Sequence, residues 1–194
     1  MPIRLARESD IPQILEIYRP YVEQTTVTFE YHTPTQEAFL ARFREITERF
    51  PFLVWEEEDR VLGYAYACLP FSREAYRWIA EPSIYLAREI QGQGIGKRLY
   101  AALEEILKLL GYRLSYALIT SENEASLRFH EALGYRLLAH FPGCAYKQGR
   151  QLGVTWMEKR LLSAEIPSIS PEHFPSFVGN VENFTKILDI LSLS

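Results

Sequence analysis

Residues 91–98 read QGQGIGKR, directly after the apolar run SIYLA (83–87) and directly before a helical stretch. Gly92, Gly94 and Gly96 alternate, and Lys97 and Arg98 follow at once. A dinucleotide fingerprint needs glycines at its first, third and sixth places; counted from Gly92, the sixth place is Lys97. A Walker-type phosphate loop needs four residues between its glycines and a Ser or Thr after the lysine, and Arg98 stands there instead. A plain strand-to-helix turn needs only one such glycine. What remains is Gln91-x-x-Gly94-x-Gly96, a run of main-chain amides that no side chain shields, aimed at the positive end of a helix. That is a site for pyrophosphate. A single charge at a helix end is stabilised by only about 0.3–1 kcal/mol, so several amides must act together. Lys97, Arg98 and Arg88 add local positive charge to a chain whose net charge is −4.

Such a cradle has to be held by a strand and a helix, and the sequence supplies both. Ile95, Leu99, Ala102, Leu103, Ile106 and Leu110 share one helical face, and Gly111 suits the cap that follows. Upstream, IRLAR (3–7) alternates as a strand. Ser9 or Asp10 can cap a helix that places Ile11, Ile14, Leu15, Tyr18 and Val22 on one side. Thr33-Pro34-Thr35-Gln36 reads as a capping box with proline first in a second helix, which carries Phe39, Phe43 and Ile46. FLVWEEE (52–58) and RVLGYAYACLP (60–70) form a hairpin split at Asp59-Arg60. RLSYALIT (113–120) is a strand and SENEASLRFHEALG (121–134) a short helix that Asn123 can cap, with Ser121 and Glu124 as a rival capping box. YRLLAHF (135–141) and GVTWMEKRL (153–161) close the set as strands antiparallel to each other. The order β-α-α-β-β-β-α-β-α-β-β implies an α/β fold with a mixed, mostly antiparallel central sheet and helices on both faces. The main domain ends near Leu162. Residues 163–194 then read as a proline- and serine-rich linker and a short amphipathic helix through Val181, Phe184, Ile187, Leu188 and Leu191.

Composition narrows the class. The chain is 194 residues long and 47% hydrophobic, enough for a packed core. Its acidic balance offers no general attraction to nucleic acid. No apolar run approaches membrane-spanning length, and the charged N-terminus is no signal peptide. Cys68 and Cys144 have no metal-ligand spacing and read as reduced, mostly buried thiols of a cytoplasmic protein.

The glycine segment resembles the coenzyme A motif of the GNAT superfamily of N-acetyltransferases. A second element follows in the expected order: Asn123-Glu-Ala-Ser126-Leu-Arg-Phe129-His130, then Gly134-Tyr135. Within the superfamily, TVTFEYHTPT (26–35), FPFLVWE (50–56), AYRWIAEPSIYL (75–86), HEALGY (130–135) and YKQG (146–149) are similar to the phosphinothricin acetyltransferase group. The likeness spans residues 1 to about 162.

The resemblance implies an enzyme that uses acetyl-CoA as cosubstrate, needs no metal and works as a homodimer. It implies cofactor contacts at Ile84, Tyr85, Leu86, Gln91, Gly92, Gln93, Gly94, Ile95, Gly96, Lys97, Asn123 and Ser126. The amide of Tyr85 or Leu86 would donate to the oxyanion. Glu81 falls at the group's general-base position, and His130 stands where the wider superfamily often has a tyrosine acid; either could be the base. Phe29, Arg73, Tyr76 and Tyr85 fall where the group binds its acceptor, an arginine beside aromatics suiting a small amino acid with a carboxylate. After YKQG the group continues with a Trp and an Asp, whereas this chain has RQLGVTW (150–156). Phosphinothricin, methionine sulfoximine, methionine sulfone or another small primary amine therefore all fit as acceptors. The alternatives are a protein or peptide N-terminal acetyltransferase and a non-catalytic coenzyme A-binding regulator.

Overall fold

A computed structural model describes residues 2–163 and 169–193; the part of the expected linker at 164–168 lies outside the described residues. The chain runs β1 (Ile3–Leu5), α1 (Ile11–Gln24), α2 (Gln36–Thr47), β2 (Phe52–Glu57), β3 (Arg60–Cys68), β4 (Ile79–Leu86), α3 (Ile95–Leu109), β5 (Leu114–Thr120), α4 (Glu124–Ala132), β6 (Arg136–Lys147), β7 (Arg150–Arg160), α5 (Phe174–Val178) and α6 (Val181–Leu193). The strands form one seven-stranded sheet in the order β1-β2-β3-β4-β5-β7-β6. Every pairing is antiparallel except β4 with β5.

Alternation along β4 divides the two faces. Tyr85 packs edge-on against Tyr18 of α1 and stacks on Tyr64 of β3. Its neighbour Leu86 points the other way, toward Gly96 of α3. Helices α1 and α2 thus cover one face, and α3 covers the other with α6 beside it against β1. The apolar residues expected on α1, α2 and α3 are all buried, so helical periodicity in the sequence located the core correctly.

Several boundaries differ from the sequence expectation. Helix α2 is capped by Thr35, whose hydroxyl accepts from the Ala38 amide at 3.2 Å, so Pro34 precedes the cap; Thr33 donates instead to Glu23. Glu58 and Asp59, at φ 48° and 60°, make the β2–β3 turn one residue earlier than Asp59-Arg60. Asp10 sits at the start of α1, but its carboxylate binds Arg4 and the Arg7 amide rather than capping that helix. At α4 the Asn123 cap holds, accepting from Ser126 at 3.2 Å, while the rival Ser121 contacts His140 and Thr155 instead. Strand β4 begins at Ile79, before Ser83, and β6 and β7 extend to a tight turn at 148–149. Cys144 is exposed rather than buried, because it lies on an edge strand; both cysteines are free.

Within the proline-rich tail, residues 174–178 form α5, and Phe174, Phe177, Ile187 and Leu191 join the main core. Val181, Phe184 and Leu188, also expected on the apolar side of the last helix, are exposed. No helix among the described residues is long and apolar enough to cross a membrane.

Candidate functional site

The site begins where the sheet comes apart. Strands β4 and β5 pair only at Ile79 with Leu114 and Ala80 with Ser115. Two residues later comes Pro82, opposite Ala67 in the antiparallel β3–β4 ladder. Ala87 donates to Leu62 in that ladder, and hydrogen-bonded pairs alternate with open ones along an antiparallel pair. Residues 81, 83 and 85 therefore bond to β3, while the main-chain groups of 82, 84 and 86 face the β5 side. Proline has no N–H to offer there, so the parallel ladder cannot continue.

Beyond Pro82 the strands diverge around a cleft of about 310 Å³. Pro82 to Leu86 form one wall, Ala117 to Ile119 the other, and Gln91, Gly96, Asn123, Ser126 and His130 lie along its length. By the same alternation the Tyr85 amide is committed to Tyr64, and Ile84 and Leu86 carry the amides that face the cleft. The Tyr85 amide is thus spent on β3, while the Leu86 amide lies 3.4 Å from the Tyr21 hydroxyl.

The glycines serve two purposes. Gly92 and Gly94 have φ of 77° and 80°, the left-handed region, and a Cβ on either would meet nothing within 4 Å. Gly96 is helical and buried; its missing side chain lets Leu86, Ile84 and Phe129 close on α3. Gly94 caps α3 without a side chain, and the amides of Gly94, Ile95 and Gly96 find no acceptor among the described residues. These are the donors a diphosphate would take. Ile95 is buried, Gln93 donates to the Glu89 carbonyl at 2.8 Å, and Lys97 is exposed at the helix start. Arg98 lies over the Trp55 ring at 4.7 Å, and Arg88 bonds to Gln24.

Tyr21, unremarked in the sequence, ties these parts together. Its hydroxyl donates to the Leu86 carbonyl at 2.6 Å and accepts from Gln91 at 2.9 Å and from the Leu86 amide at 3.4 Å. Its position on the flank of the α1 apolar stripe gave no signal of this reach.

Glu81 lies one position before the cleft wall, on the face shared with Cys68 opposite it. Burial raises its pKa, and no cation or side-chain donor among the described residues stabilises its charge. A half-buried carboxyl without a counter-ion is a ready proton acceptor.

His130 is 4% exposed and its pKa is lowered, chiefly by burial. Nδ1 lies 2.8 Å from the Ser126 carbonyl one turn back, which requires the hydrogen on that nitrogen. Nε2 lies 3.1 Å from the Tyr100 hydroxyl, which in turn is 3.2 Å from that of Tyr135; Ser115 ends the chain of hydroxyls. Burial thus disfavours a charge on the ring, and both nitrogens are engaged inside the protein.

The expected acceptor residues are not gathered. Phe29 is exposed on the α1–α2 loop. Arg73 and Tyr76 share a surface with Phe71 outside the cleft, the Tyr76 ring lying 4.6 Å from that of Phe71. Only Tyr85 lines the cleft, its ring buried among Tyr18, Tyr21 and Tyr64. Among the described residues no cluster of His, Cys, Asp and Glu could hold a metal ion.

The comparisons agree with this architecture. Residues 3–156 match the acetyltransferase (GNAT) domain family. The chain is 33% identical to the phosphinothricin N-acetyltransferase of Streptomyces viridochromogenes over 76% of its own length and 80% of that protein. It is 34% identical to the L-methionine sulfoximine/L-methionine sulfone acetyltransferase of Salmonella typhimurium over 83% of this chain and 95% of that one. The structure of a phosphinothricin acetyltransferase from Sinorhizobium meliloti in complex with AcCoA superposes with a TM-score of 0.81 at 35% identity, covering 90% of this chain and 97% of that one. With the split sheet, the open amides at α3 and these matches together, the chain belongs to the GNAT acetyltransferase family and is an acetyl-CoA-dependent N-acetyltransferase.

Proposed function

We propose that the acceptor is the primary amine of a small amino-acid-like molecule of the kind named for the relatives, phosphinothricin or methionine sulfoximine and sulfone, acetylated by direct attack in a ternary complex. The observation that carries the mechanism is the carboxyl of Glu81: partly buried, without a counter-ion, its pKa raised, at the edge of the cleft.

The amides of Gly94, Ile95 and Gly96 hold the diphosphate, and the open edge of β4 at Ile84 pairs with the extended arm. Gln91, Gly92, Gln93, Lys97, Asn123 and Ser126 surround these contacts. Acetyl-CoA, when bound, supplies the acetyl thioester. Glu81 takes the proton from the acceptor's ammonium group, directly or through a water, freeing its lone pair. The Leu86 amide, exchanging its long bond to the Tyr21 hydroxyl, donates to the carbonyl oxygen as it gains negative charge. His130, with its Nδ1 hydrogen fixed by Ser126 and its Nε2 facing Tyr100, supports α4 against the cleft; its exchange of a proton with the leaving sulfur would require the hydrogen bond to Tyr100 to open. Arg73, Tyr76 and Phe29 complete an acceptor site in the working protein by moving toward the cleft or by pairing of two copies. A homodimer would also cover Leu118 and Phe141, exposed beside Trp156 on a part of the sheet without a helix, and the cytoplasm suits the two free thiols.

A screen of amines with acetyl-CoA, following release of free thiol, tests the acceptor. Small amino acids with polar side chains should be turned over; turnover confined to peptides with a free N-terminus would move the assignment to a protein acetylator. Glu81→Gln should lower turnover about 10²- to 10⁴-fold while leaving acetyl-CoA affinity in place. An unchanged rate removes Glu81 from the mechanism.

A further inference from the structure

The segment between α1 and α2, residues 25–35, has no helix or strand of its own, yet it carries Val27 of the cleft wall and the exposed Phe29. Its conformation is imposed from far along the chain. Thr120 donates to the Thr26 carbonyl at 2.8 Å. Two further ties come from the β6–β7 turn: Lys147 donates to the Thr28 carbonyl at 2.7 Å and the Tyr31 hydroxyl donates to the Tyr146 carbonyl, while Gln148 donates to the Glu23 carbonyl at the end of α1 at 3.1 Å.

Lys147 is the unusual member. It is 2% exposed, while the preceding Tyr146 is 65% exposed, so the turn directs the ammonium inward. That ammonium has three hydrogens and, among the described residues, one hydrogen bond. The carboxylate that acts on it, Glu30, is itself bonded to Arg42 at 2.5 Å. An ammonium so poorly compensated is a costly way to fill space, and an uncharged side chain of similar length would pack there more favourably. What the charge provides is a strong, directed bond to one carbonyl.

That carbonyl belongs to a residue in contact with the site. The Thr28 hydroxyl lies 2.9 Å from that of Tyr18, and the Tyr18 ring meets Tyr85 edge-on with centroids 4.9 Å apart. Tyr85 lines the cleft. A contiguous line therefore runs from Lys147 through Thr28 and Tyr18 to β4. None of its members touches the amide cradle at α3.

We propose that Lys147 is a positioning residue for the acceptor side of the site: it latches the 25–35 loop to the β6–β7 turn and so sets affinity for the acceptor amine independently of acetyl-CoA. The proposal rests on the small-amine reading above for its kinetic consequence, though not for its structural one.

Lys147→Met keeps the length and apolar stem and removes the bond. It should raise KM for the acceptor about 10- to 100-fold, the range for one lost hydrogen bond to a charged group, and leave KM for acetyl-CoA within about twofold. Amide hydrogen exchange in residues 25–32 should quicken by a similar factor while α3 keeps its protection, and Lys147→Arg should restore part of both effects. Tyr31→Phe, which removes a second tie from an exposed ring without touching a buried charge, should act in the same direction more weakly and covers the case in which the methionine variant does not fold. Unchanged exchange at 25–32, a parallel rise of both Michaelis constants, or a lowered melting temperature alone would each overturn the proposal. Exchange needs no acceptor, so a failed amine screen sinks the acceptor reading and leaves the latch to be judged by exchange.

Discussion

Gly94→Ala isolates the backbone's part in cofactor binding. A Cβ at this position meets no atom of the protein within 4 Å, so the substitution introduces no clash. The whole cost arises from holding an alanine at φ +80°, about 1–2 kcal/mol for an L-residue in the left-handed region. That cost can appear in two places. If the turn keeps its shape, it falls on folding and lowers the melting temperature by about 2–8 °C for a chain of this size. If the turn relaxes to negative φ, the amides of Gly94, Ile95 and Gly96 swing out of register, and binding must restore them. Acetyl-CoA affinity then drops by about 5- to 30-fold. Isothermal titration with acetyl-CoA, beside thermal melts without it, separates the two. Gly149→Ala is the control: its φ is +70°, its surroundings are equally open, and it sits in the β6–β7 turn away from α3. It should melt lower with no change in affinity. If Gly94→Ala matches the native protein in both measurements, the cradle does not depend on this conformation and the reasoning fails.

Three further outcomes follow from burial. Because burial raises the Glu81 pKa, its ionised form is disfavoured in the fold, and the stability it confers when protonated is lost as pH climbs above the ordinary value of 4.5; Glu81→Gln should therefore melt higher than the native protein at pH 7, and a lower melting point would contradict this. His130 has the opposite sense: its lowered pKa means that the unfolded chain binds a proton the folded ring resists, so stability is held above pH 6.5 and lost as pH falls through and below it. His130→Gln should flatten the acid side of the stability profile above pH 5, and two parallel profiles would show that the ring is not held neutral. Ile187→Ala should cost about 2–5 kcal/mol, since that side chain is fully buried in the main core, whereas Leu188→Ala on the exposed side should stay within about 0.5 kcal/mol; equal effects would mean that α6 does not pack as described.

What was legible in the sequence was what local spacing encodes. The glycine run announced a cradle because three glycines between a strand and a helix have few other uses, and the apolar faces of α1, α2 and α3 followed from their periodicity. Glu81 became a candidate through resemblance, and its environment could not have been read from its neighbours in the chain. The early start of β4 was hidden because Glu81 and Pro82 interrupt an otherwise apolar run, and because two residues of parallel pairing leave no local mark. His130 sits among hydroxyls from α3, β5 and the start of β6, three elements that only the fold unites. The tail shows the same limit: its spacing reveals an apolar stripe, but not that Ile187 and Leu191 meet the domain while Val181, Phe184 and Leu188 remain outside.

Pro82 gives the cleft a permanent character. A gap produced by bending strands apart would have to be opened against their mutual attraction each time a ligand arrived. Here the gap opens at a hydrogen that the imino acid never had, so the pairing of β5 with β4 loses a bond just past Ala80, where it stops. The receptive edge at Ile84 stands waiting before any ligand docks. Occupation of that edge then recovers sheet-like bonding that the chain by itself must forgo.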